Sequence, residues 1–114
     1  MEKIVVRSAG SLVILGLDEI DWIEAAGNYV CLHAGPDVHR LRETMYSIES
    51  RLNPHKFMRI HRSRIVNIER VREIQPQNNP EERGEFVITL RCGTRLSMTR
   101  SHRDRLTQML STAI

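Results

Sequence analysis

The sequence predicts a mainly β domain built from small antiparallel sheets, with two short helices. Short runs of apolar and β-branched residues alternate with turn-forming Gly, Pro and Asn, as expected for strands joined by tight turns. Two other segments space their apolar residues three and four positions apart, which is the period of an α-helix. These segments are not joined by a tight turn, so no helix-turn-helix DNA reader is predicted.

The strand-like runs follow one another along most of the chain. Turn formers separate neighbouring runs at Ala9-Gly10 and Gly27-Asn28, and hairpins are predicted there. The clearest run is 85–91, in which Phe86, Ile88 and Leu90 occupy alternate positions, as in a half-buried strand. The predicted strands cover residues 3–7, 12–15, 20–26, 29–33, 38–42, 57–60, 64–68, 71–75, 85–91 and 94–98.

The two helices are predicted from their apolar spacing and their end signals. The first contains Met45, Ile48 and Leu52, after a Thr44 cap and before the stop signal Asn53-Pro54. The second follows a start that resembles a capping box. Its residues are Ser101 and Asp104 at the start, then Leu106, Met109, Leu110 and Ala113. Residues 76–84 predict a polar loop.

Length and composition indicate one soluble globular domain over residues 1–114. Apolar residues make up 40% of the chain and charged residues 27%, which argues against disorder. No apolar stretch is long enough for a membrane span, and no leader precedes a cleavage site, so we expect a cytoplasmic protein. Cys31 and Cys92 are predicted to be buried thiols in strands rather than a disulfide or a metal site.

Positive charge is concentrated in two parts of the chain. Residues 51–72 hold seven basic groups against one acidic group, and residues 91–105 hold five against one. Residues 1–50, by contrast, hold four basic and eight acidic groups. Such segregation favours binding of a polyanion. Fifteen of the 17 basic residues are arginine, whose planar fork fits phosphate or guanine, although arginine richness alone does not decide the function.

Two clusters contain hydrogen-bond donors of the kind that bind the phosphates and bases of a nucleic acid. The segment 59–67 reads Arg-Ile-His-Arg-Ser-Arg-Ile-Val-Asn between two apolar runs, so His61, Arg62 and Ser63 are predicted on a connecting loop or strand end. The second cluster, 98–103, opens the C-terminal helix, where unpaired backbone N–H groups attract an anion. Either cluster alone also fits a solvated basic surface.

Three motifs in this order resemble the LytTR family of DNA-binding domains. Residues 57–67, Phe-Met-Arg-Ile-His-Arg-Ser-Arg-Ile-Val-Asn, resemble its "F-x-R-x-H-R-S-x-I-V-N" signature. Residues 23–30 resemble "I-E-A-x-G-N-Y-V", and residues 93–100 resemble "G-x-x-L-x-V-S-R". Together they extend the resemblance over residues 3–110. Arg64 and Met98-Thr99 depart from the usual family residues, so the preferred base sequence is not predicted.

The resemblance implies an elongated sandwich of small antiparallel sheets whose loops enter successive major grooves. It implies base contacts by Asn28, His61, Arg62 and Arg100. It also implies phosphate contacts by Arg59, Ser63, Arg64, Ser101 and Arg103. From the residues alone, Asn28 is predicted only as a turn residue that tolerates left-handed geometry.

The predicted partner is double-stranded DNA at promoter direct repeats, with self-association on the DNA. The family further implies a two-component response regulator whose receiver domain is absent from this chain. We expect no cofactor, no metal and no catalysis, because the five histidines lack a metal-ligand spacing. Two alternatives stay open at this point: an RNA-binding module, which would need more exposed aromatic residues, and a metal-dependent hydrolase.

Overall fold

We analysed a computed structural model, which describes residues 2–77 and 85–111, and side chains as far as residue 110. The chain divides into two compact units, Met1–Asn67 and Ile68–Ile114. The strands of both units form small antiparallel sheets, and each unit contains one α-helix, so the predicted fold class is confirmed.

The first unit begins with a β-hairpin and continues into a larger sheet. Its turn, Ala9-Gly10, has positive φ at both residues, which is the geometry that matches the twist of the flanking strands. Val5, Leu12 and Ile14 are exposed, whereas Ile4, Val6 and Leu15 are buried. The elements of this unit are β1 (Lys3–Ser8), β2 (Ser11–Gly16), a 3-10 turn (Leu17–Glu19), β3 (Trp22–Ala26), β4 (Tyr29–Ala34), β5 (Asp37–Leu41), α1 (Met45–Ser50), β6 (Phe57–His61) and β7 (Arg64–Asn67).

Five strands form one antiparallel sheet in the order β5-β4-β3-β7-β6. Three hairpins supply the pairs between chain neighbours, and the pairing of β3 with β7 joins segments about 40 residues apart. In that pairing Trp22 lies opposite Val66 and Glu24 lies opposite Arg64. This register determines which turns lie at the same end of the sheet.

The core of the first unit lies between this sheet, helix α1 and the β1–β2 hairpin. Thr44 caps α1 as predicted, since its hydroxyl accepts the Ser47 N–H at 3.0 Å. Met45 and Ile48 place the apolar side of α1 in the core, whereas Leu52, predicted within this helix, lies after its end and joins the core from there. The core residues are Ile4, Val6, Leu15, Leu17, Ile20, Ile23, Val30, Leu32, Met45, Ile48, Leu52, Phe57 and Ile65.

Buried polar groups lock the end of the sheet at which β3 begins. The Asp21 carboxylate accepts the Gly35 N–H at 2.8 Å, and the Asn67 amide donates to the Ile20 carbonyl at 2.9 Å. The Asn67 N–H donates to the Asp21 carbonyl at 3.0 Å. Because buried polar groups need such partners, these bonds fix the connections between β3, β4 and β7.

The second unit is a three-stranded sheet followed by a helix. The sheet order is β10-β9-β8, and α2 lies against β9 and β10 with Leu106 fully buried. Its elements are a 3-10 turn (Ile68–Arg70), β8 (Val71–Pro76), β9 (Glu85–Leu90), β10 (Arg95–Thr99) and α2 (Arg100–Ser111). Most of the predicted loop 76–84 and the last predicted apolar position, Ala113, lie outside the described residues.

The structure corrects three local predictions. A 3-10 turn precedes β3, which therefore begins at Trp22 rather than at residue 20. Helix α2 begins at Arg100, so Ser101 lies inside its first turn and is not the cap. Cys92 is an exposed free thiol in the turn between β9 and β10, not a buried strand residue, and Cys31 lies in β4 as predicted but is only half-buried. No described helix is long and apolar enough to cross a membrane.

Candidate nucleic-acid interface

Two hairpin tips lie side by side at one end of the five-stranded sheet. The first is Gly27-Asn28, between β3 and β4, and the second is Arg62-Ser63, between β6 and β7. The Ala25 N–H, near the end of β3, donates to the Ser63 carbonyl at 2.9 Å, which joins the second tip to the strand that leads into the first. The structure thus brings together two predicted sites that are more than 30 residues apart in the sequence.

The first tip presents Asn28 to solvent. Gly27 has φ +63° and supplies the left-handed residue of the turn, whereas the φ of Asn28 is negative. The turn prediction is therefore confirmed for the pair, but Gly27 and not Asn28 adopts the left-handed conformation. Asn28 is exposed, and its amide can both donate and accept hydrogen bonds.

The second tip holds His61 in a defined orientation. The Ser63 N–H donates to His61 Nδ1 at 3.1 Å, and the Ser63 hydroxyl lies 2.8 Å from the same nitrogen. Because Nδ1 acts as an acceptor, the proton of the neutral ring lies on Nε2. His61 and Arg62 are both exposed, so an N–H donor and a guanidinium are available at the tip.

The turn of this second tip differs from the other hairpin turns. Neither Arg62 nor Ser63 has a positive φ, although two-residue hairpin turns favour one because it matches the strand twist. The strand register also shifts between Arg59 and His61, as in a β-bulge. The geometry of this tip therefore depends on contacts beyond the strand ladder.

Arg59 makes those contacts. Its Nε donates to the His61 carbonyl at 3.3 Å, and one terminal nitrogen donates to the Arg62 carbonyl. The other terminal nitrogen lies 3.4 Å from a carboxylate oxygen of Glu49 on α1. The guanidinium that the sequence predicts as a phosphate contact thus lies against its own hairpin turn.

Two basic side chains border the first tip, one on β5 and one directly after it. The Arg40 guanidinium lies 4.5 Å from the centre of the ring of Tyr29, the residue that follows Asn28. Arg42 lines an open depression of about 450 Å³ together with Asn28 and Glu43. Glu43 forms an ion pair with Arg51, with 2.9 Å between a carboxylate oxygen and a guanidinium nitrogen. Arg40 and Arg42 form no ion pair within residues 2–77 and 85–111.

In the second unit, the predicted residues lie at the start of α2. Arg100 is the first helical residue and is exposed, and its guanidinium lies 6.0 Å from the centre of the buried Phe86 ring. Arg103 lies 4.4 Å from the same ring and 2.7 Å from Asp104. Before the helix, the Thr99 hydroxyl contacts Ser101 Oγ at 3.1 Å and His102 Nδ1 at 2.8 Å.

Known proteins resemble this chain along almost its whole length. The model of the LytTr DNA-binding domain matches residues 10–111. The chain belongs to the LytTR family. As a member of that family it is a DNA-binding domain, with a function in transcription regulation.

Two relatives and one solved structure agree with this assignment. The sensory transduction protein LytT of Bacillus anthracis is 24% identical over 110 residues, and that of Bacillus subtilis is 25% identical over 108 residues. These matches cover 96% and 95% of this chain and 43% of each relative, so the chain spans less than half of their length. The LytTr domain of a putative methyl-accepting/DNA response regulator from Bacillus cereus superimposes with a TM-score of 0.80 at 18% identity. That superposition covers 96% of this chain and 97% of the other, and at this identity it supports the fold.

Within this LytTR domain, the predicted site residues form two groups. Asn28, His61, Arg62, Ser63 and Arg64 lie at one end of the five-stranded sheet in the first unit. The second group, Arg100, Ser101 and Arg103, lies in the first turn of α2 in the second unit. No described part of the LytTR domain groups three or more His, Cys, Asp or Glu side chains around a possible metal site.

Sequence reasoning missed the neighbours of Asn28 in this LytTR domain. Arg40 and Arg42 belong to the net acidic segment 1–50, so a charge count along the chain does not single them out. The signal that could have found them is strand register. Val30 pairs with Leu41, which brings the end of β5 beside the start of β4.

Proposed function

We propose that this LytTR domain binds double-stranded DNA sequence-specifically through its two hairpin tips and the start of α2. The tips and the helix start would enter successive major grooves. Base edges would be read by Asn28, His61, Arg62 and Arg100. Phosphates would be held by Ser63, Arg64, Ser101 and Arg103.

The observation that carries the proposal is the pairing of the two tips at one end of the sheet. The β3–β7 pairing and the Ala25–Ser63 hydrogen bond place both tips at the same end of one sheet, so Asn28 and Arg62 can face one ligand together. A major groove about 12 Å wide admits a two-stranded ribbon. The residue types also fit base edges, since Asn pairs with adenine and Arg with guanine in bidentate fashion.

The regulatory context is proposed by likeness to longer proteins. LytT of Bacillus subtilis is called a sensory transduction protein, and the solved domain comes from a protein described as a DNA response regulator. We propose that the present domain is the output module of such a two-component regulator, coupled to a receiver domain. Two copies would then associate on adjacent direct repeats in a promoter.

The test of this proposal is selection of bound fragments from a pool of random duplex DNA. We expect one enriched motif, bound more tightly as an adjacent direct repeat than as a single half-site. Single-stranded RNA of the same sequence should not displace it, because a single strand has no major groove for the tips to enter. The proposal fails if no motif is enriched, or if the RNA competes as well as the duplex.

A second prediction concerns Arg40 and Arg42, which we propose to hold phosphates beside Asn28. Each Arg-to-Ala substitution should weaken binding to all duplexes alike and reduce the slope of log affinity against log salt by about one. Binding isotherms at several salt concentrations measure this slope.

Lys56→Ala is the matched control for these two variants. Lys56 is exposed and precedes Phe57, at the opposite end of β6 from the tip. We expect its substitution to leave the salt slope unchanged. An unchanged slope for Arg40→Ala and Arg42→Ala as well would remove both residues from the interface.

A further inference from the structure

We infer that Arg59 positions the Arg62-Ser63 tip for base reading and is not itself a phosphate contact. This inference rests on the proposed function, because it assigns the support of a base-reading loop. It also changes the role that family resemblance implies for Arg59. The position of its guanidinium supports this role.

Every nitrogen of the Arg59 guanidinium has a partner within the first unit. Two of them donate to the His61 and Arg62 carbonyls, and the third faces Glu49 at 3.4 Å. A guanidinium offers its five N–H donors in a fixed planar fork, so it can bridge two carbonyls and a carboxylate at once. With these partners in place, few donors remain for a phosphate.

The turn needs this support because its backbone lacks the favoured hairpin geometry. Its two central residues have negative φ, and the register shifts just before it. Turns of that kind splay the strands that they join. The bonds from Arg59 to two successive carbonyls oppose that splaying, and they act on the peptide units that carry His61 and Arg62.

Glu49 extends the support into the core. It lies on α1, one residue after Ile48, which is fully buried. The ion pair is partly exposed, with side-chain exposures of 31% for Arg59 and 44% for Glu49, so its own energy is small. Its effect is geometric, since it ties the orientation of the guanidinium to a helix that the core holds in place.

The test compares Arg59→Ala and Arg59→Lys with Arg64→Ala, a proposed phosphate contact on the adjacent strand. For both Arg59 variants we expect the preference for the base pairs read by the tip to fall about tenfold, with the salt slope unchanged. Lysine should not rescue it, because an ammonium group cannot bridge two carbonyls in one plane. Arg64→Ala should instead lower the slope by about one and keep the base preference. The inference is overturned if Arg59→Ala behaves like Arg64→Ala, or if Arg59→Lys restores full preference.

A second measurement needs no DNA. In the free domain, NMR order parameters of the His61, Arg62 and Ser63 amides should fall in Arg59→Lys, and by less in Glu49→Gln. Unchanged order parameters in Arg59→Lys would overturn the inference, even if Arg59→Ala failed to fold. If instead the order parameters fall but the wild-type domain selects no duplex, the proposed function fails while the support of the tip by Arg59 stands.

Discussion

Replacing Arg100 with alanine should lower the affinity for the selected operator by about 1–3 kcal/mol and remove the preference at one base pair. Arg100 opens α2, is exposed, and lies 6.0 Å from the buried Phe86 ring. A guanidinium 6.0 Å from the ring centre is at the limit of a cation–π contact, so its planar edge can still pair with the O6 and N7 edge of guanine. Affinities for the operator, a series of single-base variants and random duplex measure the effect.

Arg105→Ala is the control on the same helix. Arg105 is also exposed, but it follows Arg100 by five residues and therefore projects from a different side of α2. We expect its loss to leave the base preferences unchanged. A uniform loss of affinity in Arg100→Ala, with every base preference intact, would make Arg100 a phosphate contact and contradict its role as a reader.

The largest expected effect on stability is that of Leu32→Ala. Leu32 lies on β4 in the centre of the first unit's core and is fully buried. Truncation removes transfer free energy and leaves a cavity, so the free energy of unfolding should fall by about 2–5 kcal/mol. Urea unfolding monitored by the fluorescence of Trp22 on the neighbouring strand measures this change.

Leu12→Ala provides the same chemical change at an exposed position. Leu12 is 62% exposed on the β1–β2 hairpin, and a surface substitution of this kind changes stability by about 0.5 kcal/mol or less. Equal destabilisation by the two variants would show that the core assignment of Leu32 is wrong. An unchanged midpoint in Leu32→Ala would show the same.

Local signals predicted the strands and turns well because they depend on neighbouring residues. Alternation of Phe86, Ile88 and Leu90 identified β9 as a strand, but the predicted half-burial is wrong, since Val87 and Thr89 on its other face are buried too. The Ala9-Gly10 and Gly27-Asn28 pairs identified two hairpins. The pairing of β3 with β7 could not be predicted in this way. It depends on the Ala25–Ser63 bond and on buried groups such as Asn67, which only the folded chain brings together.

The site was predicted unevenly for the same reason. Family resemblance supplied Asn28, His61, Arg62 and Arg100, but motifs identify residues and not their contacts. The sequence therefore gave no sign that Arg59 bonds to its own turn, or that Arg40 stacks on Tyr29. Side-chain geometry of this kind depends on strand register and on helix α1, neither of which a linear motif contains.

The short tips restrict how the binding specificity of such a domain can be altered. Each tip is a two-residue turn between paired strands, and the bond from Ala25 to Ser63 joins the second tip to the strand that leads into the first. An inserted residue would shift the strand register, and a one-residue shift turns every following side chain to the opposite face of the sheet. Libraries built to retarget the domain should therefore randomise side chains at positions 28, 61 and 62 and keep the loop lengths constant. We therefore expect the proposed interface to diverge by substitution and not by insertion, unlike the longer binding loops of other proteins.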